Sequence, residues 1–191
     1  MTVKVLRVIP KTFLCAPIQF KKNVEKVKEM GFSPERFTFV LALSVLRSLS
    51  QSSWERKFDA FKKCGWSEEE ILEAFRNYPL VMATSKDKIM AVTDFLVNKM
   101  GFQSSLVAKY PRLLGCSMEK RIVPRGLFVQ DLLSDGLLKK ELGLRSLFMI
   151  SEKLFLQRFV HGYEEKASEL LKLYNEKLNL AVRGKLNTDK L

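Results

Sequence analysis

The sequence predicts an all-α protein built as a solenoid of stacked helical repeats, and three observations carry that prediction. Glycines at 31, 65, 101 and 136 stand 34, 36 and 35 residues apart. An aromatic residue or leucine follows each of them: Phe32, Trp66, Phe102 and Leu137. A proline with a short apolar patch recurs as well, as Pro10-Lys11-Thr12-Phe13-Leu14, Pro79-Leu80-Val81-Met82 and Pro111-Arg112-Leu113-Leu114, each leading into a basic, apolar-periodic segment. A period near 35 residues held over four units marks repeats that each bury an apolar face against a neighbour, wound into a right- or left-handed superhelix. One copy is degenerate. Ser44 stands where the other units have proline, 21 residues before Gly65.

A chain of 191 residues, 47% of them hydrophobic, fits one domain with a buried core. Residues 1–180 are read as a single repeat domain, with units ending near Gly31, Gly65, Gly101 and Gly136 and a helical cap over 151–180; residues 181–191 are read as a mobile polar tail. Lys and Arg number 33 against 21 Asp and Glu, a formal charge of +12. That excess favours a polyanionic partner, nucleic acid before an anionic membrane surface. The longest apolar run, Phe37 to Leu46, is about half the length of a membrane span and reads as a buried helix. Cys15, Cys64 and Cys116 lie too far apart for a zinc site or a disulfide framework, and read as small core residues in a reducing compartment.

The elements follow in order. From Pro17 a helix aligns Phe20, Val24 and Val27 and stops at Gly31. Ser33-Pro34 has N-cap and first-turn chemistry for a helix from Glu35 to about Leu46. Ser53 is the expected cap of the next, which buries Trp54, Phe58 and Phe61 before Gly65. Ser67 to Glu70 forms a capping box ahead of Ile71, Leu72, Phe75 and Tyr78. Ser85 opens a helix with Ile89, Val92 and Leu96 inward, and Ser104 or Ser105 a short one with Leu106, Val107 and Tyr110. Pro124 belongs in a first turn, so a helix is expected from there to Ser134. Residues 137–150 are less regular. Ser151 caps a helix holding Phe155, Phe159 and Tyr163, continued from Glu164 to Leu178 with Ala167, Leu170, Leu171 and Tyr174 as its apolar stripe.

Residues 1–24 lack acid and carry Lys4, Arg7, Lys11, Lys21 and Lys22, as an organellar leader would. Yet the repeat pattern begins at Pro10, and what precedes it is too short for a leader. The chain is therefore read as starting inside a repeat, without a transit peptide, and the half-unit at its start (Val3, Val5, Leu6, Val8, Ile9) is expected to fray or self-associate.

Three stretches taken together, Gly65-Trp66-Ser67-Glu68-Glu69-Glu70-Ile71 with Phe75-Arg76 and Pro79, Phe95 to Phe102, and Glu119-Lys120-Arg121-Ile122-Val123-Pro124-Arg125, closely resemble the plant branch of the mitochondrial transcription termination factor (mTERF) family. The resemblance spans residues 5–178. It implies a superhelix of three-helix repeats that binds double-stranded nucleic acid, DNA first, and regulates transcription, including termination, in mitochondria or, alternatively, chloroplasts.

Basic residues recur near the start of each long helix: Lys21 and Lys22, Arg56 and Lys57, Lys86 and Lys88, then Lys120, Arg121 and Arg125. Carried along a solenoid they would form a ladder matching the phosphates of a duplex, giving affinity without base reading. Arg112, Arg125 and Arg158 are candidates for groove contacts by residue type. The aromatic residues lie on buried stripes, which favours a duplex over stacked single strands. RNA in intron splicing or ribosome assembly is the alternative ligand, and a protein-interaction scaffold the alternative of another class. An enzyme is not expected: His161 is the sole histidine, no phosphate-cradling glycine loop occurs, and Glu68 to Glu70 are explained by capping. No catalytic residue, metal or cofactor is assigned.

Overall fold

The computed structural model describes residues 16–138 and 142–188, with side chains as far as residue 184. The apolar half-unit from Val3 to Ile9, with its expected fraying and self-association, the Pro10 patch and Cys15 lie outside the described residues. Among the described residues all regular structure is helical. The chain divides into two compact units, Met1–Gly115 and Cys116–Leu191.

In the first unit, α1 (Pro17–Glu29), α2 (Phe37–Ser48), α3 (Gln51–Lys63) and α4 (Glu68–Asn77) lead to a 3-10 turn at Pro79–Ala83. Then α5 (Lys86–Asp94) widens into a π turn at Phe95–Lys99, and α6 (Ser104–Ala108) ends in a second 3-10 turn, Pro111–Gly115. In the second unit a π turn, Met118–Ile122, runs into α7 (Val123–Ser134). It is followed by α8 (Leu144–Phe148), α9 (Glu152–Phe159), a 3-10 turn at Glu164–Lys166 and α10 (Ala167–Thr188). The last helix thus continues well beyond Leu178, into the stretch expected as a tail.

The glycine ruler has a direct physical basis. Gly31, Gly65, Gly101 and Gly136 are the described residues with left-handed backbone, at φ of 86°, 82°, 76° and 69°. An L side chain there costs about 1–2 kcal/mol, which glycine avoids. Three of the stops share one hydrogen-bond pattern. Phe32 N donates to Val27 O at 3.3 Å and Gly31 N to Lys28 O at 2.8 Å; Trp66 and Leu137 repeat the longer bond onto Phe61 and Leu132. These pairs satisfy carbonyls that the helix end would otherwise leave free, and they tuck the following apolar residue inward. At Gly101 the pattern is one residue wider: Phe102 N reaches back to Leu96 O at 3.0 Å, because the π turn precedes it.

Serine caps mark the starts. The hydroxyls of Ser50, Ser67, Ser85, Ser117 and Ser151 each accept the backbone N–H three residues on. Ser67 completes a capping box with Glu70. Two expected caps differ. Ser53 lies inside α3, and Ser50 takes its place by accepting Ser53 N at 3.2 Å. After Ser33-Pro34 the chain makes a turn, and α2 begins only at Phe37 with no side-chain cap. Ser104 also does something else: it is the first residue of α6, and its hydroxyl donates to Cys64 O at 2.6 Å. The helix expected from Pro124 starts earlier, at Met118, because the wide turn leaves Pro124 at the head of α7 where its missing N–H costs nothing. Ser44 shows what proline does elsewhere. Without it α2 runs unbroken to Ser48, whereas Pro79 and Pro111 each open a 3-10 turn.

The first unit buries an aromatic junction in which Phe32 and Trp54 meet Phe75 edge-on at 5.3 and 5.1 Å. Phe61 and Trp66, with Ile71, Ile89, Val92 and Leu96, extend this core. The second unit gathers Phe128, Phe155, Phe159 and Tyr174, with α10 lying along α7 and across the π turn. Tyr163 closes its edge by donating to Leu137 O at 2.9 Å.

Candidate nucleic-acid interface

The basic residues singled out by the sequence separate into three groups once their surroundings are known. Arg125 leaves the interface altogether. Its side chain is fully buried, donating from Nη1 to Leu147 O at 3.0 Å and Ile150 O at 2.9 Å, and from Nη2 to Glu152 Oε2 at 2.6 Å. The guanidinium carbon lies 4.5 Å from the centre of the Phe155 ring. A cation held by three acceptors and an aromatic face inside the core is unable to meet a phosphate or a base edge, so Arg125 is corrected from a binding residue to a structural one.

Lys57 is the second case. It is half-buried and its ammonium donates to Thr84 O, tying α3 to the residue just before the Ser85 cap. Burial also lowers its pKa below the ordinary 10.5. The bond brings Lys57 beside the segment that carries Lys86 and Lys88. Arg112 and Arg158 rest against rings, 5.5 Å from Tyr78 and 5.5 Å from Phe159, with both side chains exposed.

Lys21, Lys22, Arg56, Lys86 and Lys120 are exposed, and Lys88 and Arg121 partly so. They do not share one register. Lys22 and Arg56 each stand nine residues ahead of their terminal glycine, in mid-helix, whereas Lys86 and Arg121 stand fifteen ahead of theirs. Arg56 donates to Ser53 Oγ at 2.9 Å. Around Lys21 and Lys22 the surface is mixed, with Glu25, Glu29 and an exposed Ile18 beside them.

Helix electrostatics discriminates among the cations. Lys28, Lys62, Lys63 and Lys99 sit in last turns, where the helix dipole favours positive charge. Lys28 pairs with Glu25 at 3.3 Å, and Lys62 with Glu68. Lys86, Lys88, Lys120 and Arg121 occupy opening turns behind serine caps, where the same dipole opposes them by about 0.3–1 kcal/mol each. None of the four forms an ion pair among the described residues, although Asp87 and Glu119 are interleaved with them. Helix stability therefore does not account for them. Lys153, which the sequence reading passed over, is exposed in the opening turn behind Ser151. Its signal was available: a capping serine followed within three residues by lysine.

Among the described residues no group of three His, Cys, Asp or Glu is placed to hold a metal ion. Among the described residues no helix is long and apolar enough to cross a membrane. Cys64 and Cys116 are half-buried at the edges of the core, and burial pushes the Cys64 thiol up from its ordinary range.

A family model described as mTERF matches residues 2–156. The chain is also 30% identical over 109 residues to the Arabidopsis thaliana protein named "Transcription termination factor MTERF15, mitochondrial". That match takes in 57% of this chain and 24% of the relative, so the chain spans about a quarter of the relative's length.

Proposed function

The chain belongs to the mTERF family, a family of non-enzymatic nucleic-acid binders with a helical-repeat fold, and from that premise we propose that it binds double-stranded DNA and regulates organellar transcription, termination included. The observation that carries the reading is the recurrence of cations behind serine caps, at Lys86, Lys88, Lys120, Arg121 and Lys153, where helix electrostatics opposes them and no ion pair forms among the described residues. Positive charge maintained against a local cost is accounted for by an anionic partner. Phosphates are the fitting anion, since backbone N–H groups at the same helix starts also present positive potential. The relative's mitochondrial designation supports that compartment, with the chloroplast as the alternative.

Contacts of this kind grip the backbone and do not read bases, so affinity falls with salt at about 0.9 log unit per log unit for each phosphate neutralised. The test is a titration of duplex DNA, duplex RNA and single-stranded DNA at two salt concentrations. Reversal of Lys86, Lys88, Lys120 and Arg121 to glutamate is expected to flatten the salt slope by about four, whereas reversal of Lys28 and Lys62 leaves it nearly unchanged. Equal effects from both sets, or tighter binding to duplex RNA than to duplex DNA, would overturn the reading.

A further inference from the structure

Within the second unit, the helix that carries Lys120 and Arg121 is held by a carboxylate bridge. Glu152 accepts from Arg125 Nη2 through Oε2 at 2.6 Å and from the Tyr174 phenol through Oε1 at 2.7 Å. One carboxylate thus joins α7, α9 and α10. A second tie lies farther along α10, where Lys177 Nζ meets Asp131 Oδ2 of α7 at 2.5 Å. Besides these ties, α10 packs along α7 and across the π turn at Met118–Ile122. That turn is the segment in which Lys120 and Arg121 sit.

We propose that α10 is a positioning element for the nucleic-acid contact of this unit, with Tyr174 and Glu152 acting through Arg125 to set the direction in which Lys120 and Arg121 point. The geometry supplies the reason. Arg125 follows Arg121 by one helical turn, so a guanidinium locked to Leu147 O, Ile150 O and Glu152 fixes the rotation of the helix about its own axis. A π turn is wider than an α turn and closes through bonds one residue longer, here Ile122 N to Ser117 O at 3.0 Å. With α10 packed against it, the wide turn is supported; with α10 displaced it is free to relax to α geometry, which would swing both cations round the helix. Helix α10 starts beyond residue 156, where the family match ends, so its role is not part of what that match conveys.

The inference rests on the nucleic-acid reading above, and its test separates the two. Tyr174→Phe removes one hydroxyl with little change of shape, and Lys177→Ala removes the outer tie without touching the core. In both variants, hydrogen exchange at the amides of residues 118–122 is expected to quicken while exchange in α3 stays as it was. Affinity for duplex DNA is expected to fall several-fold, with the salt slope lower by about two, the value for two lost phosphate contacts. Against a Lys120→Glu, Arg121→Glu background neither variant should lower affinity further. Faster exchange in α10 with affinity and slope unchanged would reduce α10 to a packing helix and overturn the proposal. If Lys120→Glu with Arg121→Glu itself leaves binding intact, the nucleic-acid reading of this unit fails, and the positioning role falls with it.

Discussion

At the centre of the first unit Phe75 meets Phe32 and the half-buried Trp54 edge-on, a junction of rings held by shape and apolar burial. At the centre of the second lies the guanidinium of Arg125, which takes acceptors from the end of α8 and the start of α9, and reaches α10 through Glu152. Apolar burial is non-directional and scales with area. A buried charge is directional and tolerated only when its donors are answered. One donor, Nε, remains without a partner, so the arrangement is not ideal even with the others satisfied. The difference teaches that the second unit is cross-tied through a few polar atoms, and should fail by losing a tie, where the first fails by losing volume.

The sharpest way to break that contrast is Arg125→Ala. It strips the donors from two carbonyls and leaves Glu152 without its cation, and is expected to destabilise the second unit by about 3–5 kcal/mol in urea denaturation. Arg125→Met fills the space without the charge and should cost clearly less, since apolar replacement of a buried ion pair is often close to neutral. Equal losses would mean that volume, not bonding, is what Arg125 supplies. In the first unit Phe75→Ala should cost about 3–5 kcal/mol as a cavity, with faster amide exchange confined to residues before Gly115. Gly136→Ala is a milder change. No atom lies within 4 Å of the added methyl, so only backbone strain acts, at about 1–2 kcal/mol, read as a lowered denaturation midpoint.

The smallest expected effect concerns Lys57, a half-buried cation of the first unit. Burial holds its pKa below 10.5, so a charged lysine there is penalised in the folded state at neutral pH. The penalty lifts as pH rises through the lowered value and is fully relieved above 10.5. Stability should therefore gain with rising pH across that window, and Lys57→Met should lack the gain. A wild-type pH profile that parallels the variant's would remove Lys57 from the comparison.

Much of this was legible beforehand, for identifiable reasons. Glycine stops and serine caps are local chemistry, and so the ends at Gly31, Gly65, Gly101 and Gly136 and the starts after Ser67, Ser85 and Ser151 follow from the residues themselves. Ser50 and Ser53 are both competent caps; the choice between them depends on where α2 finishes, which the missing proline at Ser44 moved. The π turns leave no mark on apolar periodicity and are decided by packing. Arg125 was misread because charge suggests surface. Its neighbours argue otherwise: Pro124, Gly126, Phe128 and Val129 are all buried, and Arg121 rather than an acid stands one turn before it.

The two wide turns bear on how such a protein tolerates changes of length. Repeat spacings of 34, 36 and 35 residues would throw successive caps out of phase if every helix were strictly α. A π turn stores one surplus residue inside the helix, and the helices that close the two longer intervals each contain one, at Phe95–Lys99 and Met118–Ile122. At the first of them the fit is direct: Ser85 stands one residue farther from Gly101 than Ser50 does from Gly65, so a single-residue insertion is taken up as a local swelling between serine cap and glycine stop.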